Sequence, residues 1–197
     1  MKKSLSTAFL FACLTASAIA LTSSDALLAA ASSGLPANLK KALTGHPEYR
    51  GVMLAHDTPL LDEALYRVLV SQKPGAEPEM LQTLVAAGAN PSGHNTNQVP
   101  LLTNAIALVD VPAVDFLLDR GADPNGHDQI GSCAADSLVR VAEHGQADAS
   151  TVVHIAQSMH AHGLKLDPLT LGYAVHTNKD NPNPSLSALV LYLRSLQ

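Results

Sequence analysis

The chain has two cysteines in 197 residues, and one of them, Cys13, lies in a stretch expected to be cleaved off. Cys133 is then the single thiol left, so no intramolecular disulfide can hold the fold even in a compartment that permits one. Basic residues are also few: 12 Lys and Arg stand against 17 Asp and Glu, a formal charge of −5. Setting aside Lys2 and Lys3 with the leader moves the charge from −5 to −7, which argues against nucleic acid as a partner. Beyond the leader no apolar run approaches the length that spans a bilayer, so membrane insertion of the mature chain is not expected. There is no phosphate-binding glycine loop, no Gly-x-Ser-x-Gly and no paired-carboxylate motif, and neither an enzyme nor a cofactor is expected.

What is present begins with an export signal. Met1-Lys2-Lys3-Ser4 is a short cationic start, and Leu5 to Ile19 is apolar but too short for a stable transmembrane helix. Ala16-Ser17-Ala18 and Ala18-Ile19-Ala20 both fit the small-residue cleavage pattern, so residues 1–20 read as a signal peptide and the protein as periplasmic. Leu10-Phe11-Ala12-Cys13 offers a competing lipoprotein site, but Phe is awkward there and the apolar run continues past Cys13. A mature chain of about 177 residues, rich in Leu, Ala and Val, falls within the usual size of one domain.

Residues 21–57 read as a Ser- and Ala-rich lead, mobile or weakly helical, with a short capping helix at Asn38 to Leu43. Residues 58–196 then alternate short apolar helical stretches with Gly, Pro and Asn. The block Leu84-Val85-Ala86-Ala87-Gly88-Ala89-Asn90-Pro91 is echoed 33 residues later by Leu117-Leu118-Asp119-Arg120-Gly121-Ala122-Asp123-Pro124-Asn125. Gly88 and Gly121 suit a helix end in a left-handed conformation that a Cβ would oppose. Asn90, Asp123 and Asn125 can satisfy loose donors in the turn that follows. Pro59 and Pro100 fit the first turn of a helix, and Pro78 and Pro112 open a second helix in the same way. Leu81, Leu84 and Val85, then Val114, Leu117 and Leu118, recur at i, i+3 and i+4 and predict an apolar stacking face.

These blocks, with Thr58-Pro59-Leu60-Leu61 and Val99-Pro100-Leu101-Leu102, resemble the ankyrin repeat. The resemblance implies an all-α, ankyrin-like solenoid of stacked helix pairs joined by short hairpin-like loops, about four units with diverged outer ones. The third unit runs from Gly131 to His162-Gly163, with Cys133 where the family has Pro and a long loop around His144 to Asp148. The fourth, from Leu169 to Leu196, keeps only the helix pair. The Gly88–Gly121 interval is 33 residues and Gly121–Gly163 is 42.

Nine His residues call for a search for metal ligands. His144, His154, His160 and His162 form no recognised spacing, since His160 and His162 point about 200° apart on a helix. His160 and His162 fit a last helical turn, where a partly charged imidazole suits the dipole. His127-Asp128 reads as an exposed turn, and Cys133 as a small buried residue with no His placed to activate it.

The resemblance also implies function by protein binding, along a face formed by loop tips and first helices. The tip residues are Ser92, His94, Asn95, Asn97, His127, Asp128 and Gln129, with a chain that is monomeric when free. The reading is a periplasmic binding module that neutralises a secreted toxin or enzyme, as an immunity protein does. Two alternatives stay open: an accessory protein for a resident periplasmic enzyme such as an oxidative-stress enzyme, and a metal- or thiol-dependent enzyme.

Overall fold

The computed structural model describes residues 23–71 and 77–196; the expected leader, its cleavage sites and Cys13 lie outside them. Among the described residues the regular structure is helical, with three isolated antiparallel bridges and no sheet. Helix α1 covers 23–32 and α2 covers Pro36–Leu43, followed by 3-10 turns at Pro47–Gly51 and Ala55–Asp57. Four helix pairs come next: α3 (Leu60–Ser71) with α4 (Glu77–Ala87), α5 (Leu101–Ala107) with α6 (Val111–Asp119), α7 (Ala134–Glu143) with α8 (Ala149–Ala161), and α9 (Pro168–Asp180) with α10 (Pro184–Arg194). The partners of each pair touch, and the pairs stack in two rows. Helices α3, α5, α7 and α9 follow one another in one row, and α2, α4, α6, α8 and α10 in the other.

The expected apolar spacing supplies the contacts between pairs. Leu81, Leu84, Val114, Leu117 and Leu118 are buried, while Val85 is half-buried at the edge. Each such side chain contributes about 1.5–3 kcal/mol relative to leaving it in water. Pro112 stands in the first turn of α6, where its missing N–H has no partner to lose. Pro59 and Pro100 sit one residue earlier than expected, just before α3 and α5, and their carbonyls accept the first helical amides. Each also closes an antiparallel bridge, Met53 with Pro59 and His94 with Pro100. The flanking bonds Leu60 N to Val52 O (2.9 Å) and Leu101 N to Gly93 O (3.0 Å) carry the pairing. The proline therefore occupies a non-hydrogen-bonded pair, where no N–H is needed.

Cys133 takes the same place opposite His127, and it does have an N–H. Asp136 accepts that hydrogen at 3.0 Å, completing a capping arrangement at the start of α7.

The structure adds two details to these expectations. Of the two readings of the lead the helical one holds: Leu27 and Ala31, four residues apart, are fully buried, and the Tyr49 hydroxyl donates to Ser23 O at 2.9 Å. The wider Gly121–Gly163 interval comes mostly from longer helices. Of its nine additional residues, three lengthen α7 relative to α5 and four lengthen α8 relative to α6, and the linking loop gains two.

Gly88 and Gly121 follow the ends of α4 and α6 with φ of 113° and 88°. The next amide in each case returns to the helix, Ala89 N to Leu84 O and Ala122 N to Leu117 O, both at 2.9 Å. A Cβ on Gly121 would meet nothing within 4 Å, so a substitution there reports on backbone conformation alone. Gly121→Val is expected to destabilise the fold by about 1 kcal/mol or more, read as a lowered thermal midpoint.

Candidate binding surface at the hairpin tips

The three bridges define three hairpins that leave the helix pairs at corresponding points. Met53, His94 and His127 stand at one register, and Pro59, Pro100 and Cys133 face them. Asp57, Gln98 and Gly131 mark the left-handed position of each tip, with φ of 55°, 60° and 81°. The second and third tips are folded by one side chain each. Asn95 Oδ1 accepts the amides of Asn97 (2.9 Å) and Val99 (3.1 Å), and Asp128 Oδ1 accepts those of Ile130 (3.0 Å) and Ser132 (2.8 Å). This is the Asx-turn chemistry that lets a side chain stand in for a backbone acceptor.

Further polar groups fasten neighbouring loops. Ser92 Oγ donates to Gly121 O at 2.8 Å and accepts from Asp123 N at 2.9 Å; one unit on, Asn125 donates to Gly163 O at 3.0 Å and accepts from Lys165 N at 2.7 Å. The first and second tips are tied by His56 Nδ1 donating to Thr96 O (3.0 Å) and by Gln98 Nε2 donating to His56 O (2.8 Å). Two carboxylates at the start of α3 hold the second hairpin from below. Asp62 accepts Asn90 N at 2.7 Å, and Glu63 accepts Thr96 N at 2.9 Å while holding Arg67 at 2.9 Å. Burial pushes the Asp62 carboxyl above its ordinary value, against the Asn90 amide and the nearby His94. A Cβ at Gly93 would overlap that carboxylate, so the close approach requires glycine.

The expected tip residues therefore divide. Asn97, His127 and Gln129 are exposed, and His94 is half-buried at its bridge position. Asn95 is only 2% exposed and works inside its turn. Asp128 and Ser92, both partly covered, hold backbone groups. The first hairpin, Met53 to Pro59, was not marked by the sequence reading because no Gly-Ala-Asx block precedes it. Its signal in the sequence is Thr58-Pro59-Leu60-Leu61, which matches the Val99-Pro100-Leu101-Leu102 that closes the second hairpin.

The other candidates scatter. His154 Nε2 lies 2.9 Å from Asp115 and His162 Nε2 3.4 Å from Asp119, two rungs between α6 and α8. Although partial burial opposes it, hydrogen bonds from Ser158 and His154 hold Asp115 below its ordinary value. His160 lies in the last turn of α8 and His162 caps it, with Nδ1 donating to Ser158 O at 2.8 Å. Among the described residues no three His, Cys, Asp or Glu side chains gather as a metal site. Cys133 is buried, which pushes its thiol up and away from the thiolate.

Glu77 at the start of α4 has a buried Oε1 with no donor in reach. Burial, then the adjacent Asp110 carboxylate that caps α6, push it up to about 8, toward its neutral form.

No protein-family model matches the chain, and no curated protein matches it either.

Two outcomes follow for solution measurements. Asn95→Ala leaves two turn amides without their acceptor and is expected to lower stability by about 1–3 kcal/mol, whereas Asn97→Ala, at an exposed site, stays within about 0.5 kcal/mol in the same denaturant titration. Because the folded pKa of Glu77 lies above its unfolded value, its contribution is complete below the unfolded value and is lost as pH rises toward about 8. Glu77→Gln is expected to flatten that decline in thermal midpoint between pH 5 and 8.

Proposed function

We propose that this chain is an exported protein-binding module, built as an ankyrin-like stack, and that it neutralises a secreted toxin or enzyme by covering it. The observation that carries this reading is the row of hairpins at one register, in which Asn95 and Asp128 fold the second and third turns and leave other tip side chains exposed. Asn97, His127 and Gln129, with the half-buried His94, are free to meet another surface. Neutralisation of this kind needs no chemistry: a pre-folded surface laid over the mouth of an active site excludes substrate, and rigid tips lose little conformational entropy on docking. The Gly88–Gly121 echo and the Pro-Leu-Leu starts support the ankyrin-like reading. The cationic, apolar and small-residue leader supports export to the periplasm.

The test changes His94, Asn97, His127 and Gln129 together to Ala and leaves Ser92, Asn95 and Asp128 in place for the turns. The thermal midpoint is expected to move by no more than a degree or two, because surface substitutions cost little. The protein recovered with the native chain from a periplasmic extract is expected to be lost or reduced at least tenfold. Undiminished recovery would overturn the assignment of binding to the tips.

A further inference from the structure

The two side chains that clip successive loops together differ in chemical durability. Ser92 fastens its loop to the next through a hydroxyl, at Gly121 O and Asp123 N. Asn125 fastens the loop before the third hairpin to the one that leads into α9, through both ends of an amide: Nδ2 donates to Gly163 O and Oδ1 accepts from Lys165 N. Only five residues separate Gly163 from Pro168, where α9 begins, and no bridged hairpin forms among them to reinforce that second clip.

Asn125 is followed by Gly126, the one Asn-Gly pair in the sequence. Glycine leaves the amide nitrogen after an asparagine unobstructed by any Cβ. Nothing in the fold calls for it there. Gly126 lies outside the left-handed region, and a Cβ on it would make ordinary contacts, the nearest with Asp123 O at 3.5 Å and Pro100 Cγ at 3.8 Å. Gly93, five residues after Gly88 as Gly126 is after Gly121, differs because the Asp62 carboxylate crowds it. Thr103 stands where Asp62 does, three residues after the proline of its unit, and its shorter side chain does not reach Gly126.

We propose that Asn125 is a site of spontaneous deamidation, and that its conversion unfastens the loop leading into α9. The Gly126 nitrogen, giving up its proton to base, attacks Asn125 Cγ. A new C–N bond closes a five-membered succinimide, the bond from Cγ to Nδ2 breaks, and ammonia leaves. Water then opens the ring at one of its two carbonyls, giving aspartate or isoaspartate with no oxidant or reductant consumed. While the clip is closed, both ends of the amide are engaged across the loops and the Gly126 N–H is turned to Asp123 O at 3.3 Å. Reaction therefore proceeds from the opened clip, a local fluctuation that breaks two hydrogen bonds at the surface. The product cannot close it again. An anionic oxygen replaces the N–H that met Gly163 O, and two acceptors then face each other. An opening that would have reversed becomes permanent, whereas the Ser92 hydroxyl offers no such route. The inference is independent of the protein-binding reading above.

The test incubates the full exported chain in mildly alkaline buffer, beside the same chain unfolded in urea, and follows each asparagine by peptide mass spectrometry. In the folded chain Asn125 is expected to convert ahead of every other asparagine, with the mass change of an amide becoming an acid. Gly126→Ala, whose Cβ crowds the attacking nitrogen, should slow that conversion about tenfold or more. The converted fraction, separated by its added negative charge, should exchange the Lys165 amide about tenfold faster in deuterated buffer and melt at a lower temperature. Asn125→Asp should reproduce both changes without incubation. An Asn125 still intact when the unfolded chain has fully converted would overturn the proposal, as would a Gly126→Ala chain that converts at the native rate. So would conversion that leaves Lys165 exchange and the thermal midpoint unchanged, since the clip would then have survived its own chemistry.

Discussion

A helix that stops against a packed core leaves its last carbonyls without donors, and this chain meets that constraint five times with one backbone device. After α4, α5, α6, α7 and α8 comes a residue with positive φ: Gly88, Val109, Gly121, Gly145 and Gly163. The following amide then returns five residues, from Ala89 to Leu84, Asp110 to Ala105, Ala122 to Leu117, Gln146 to Val141 and Leu164 to Met159. The reversal sets the direction in which the chain leaves each helix, and so where the next helix or hairpin begins. Val109 is the exception in kind. A β-branched residue at φ 58° stands at a cost of roughly 1–2 kcal/mol, and its side chain packs against the core.

The polar residues of the loops serve two purposes that composition alone does not separate. Ser92 and Asn125 join successive loops through backbone groups, and Asn95 and Asp128 fold the tips. Asp62 and Glu63 reach from a helix into a hairpin. With these groups fixed, the remaining exposed positions can vary without disturbing the turns, which is the property a recognition surface needs.

Much of the architecture was legible in the sequence. Gly88 and Gly121 stop helices as their spacing indicated, and the i, i+3, i+4 leucines are the buried ones. What was not legible depends on partners distant in sequence. Asn95 looks like any loop asparagine until its 2% exposure places it under its own turn. The lead's Ser- and Ala-rich composition left a mobile and a helical reading open, and what decides between them is the burial of Leu27 and Ala31 together with the bond from Tyr49, 26 residues on, to Ser23. Arg140 and Tyr173 lie 33 residues apart, and only the stacking of α7 on α9 brings them to one groove.

Cys133 sits at the hinge between the third hairpin and α7, is the one cysteine among the described residues, and is covered. A covered thiol reacts faster when its surroundings open, so its labelling rate reports on local opening around the start of α7. Where opening and closing are fast, the ratio of that rate to the rate for a free thiol gives the local opening equilibrium directly. The residue is thus a native reporter on the junction between the third hairpin and α7.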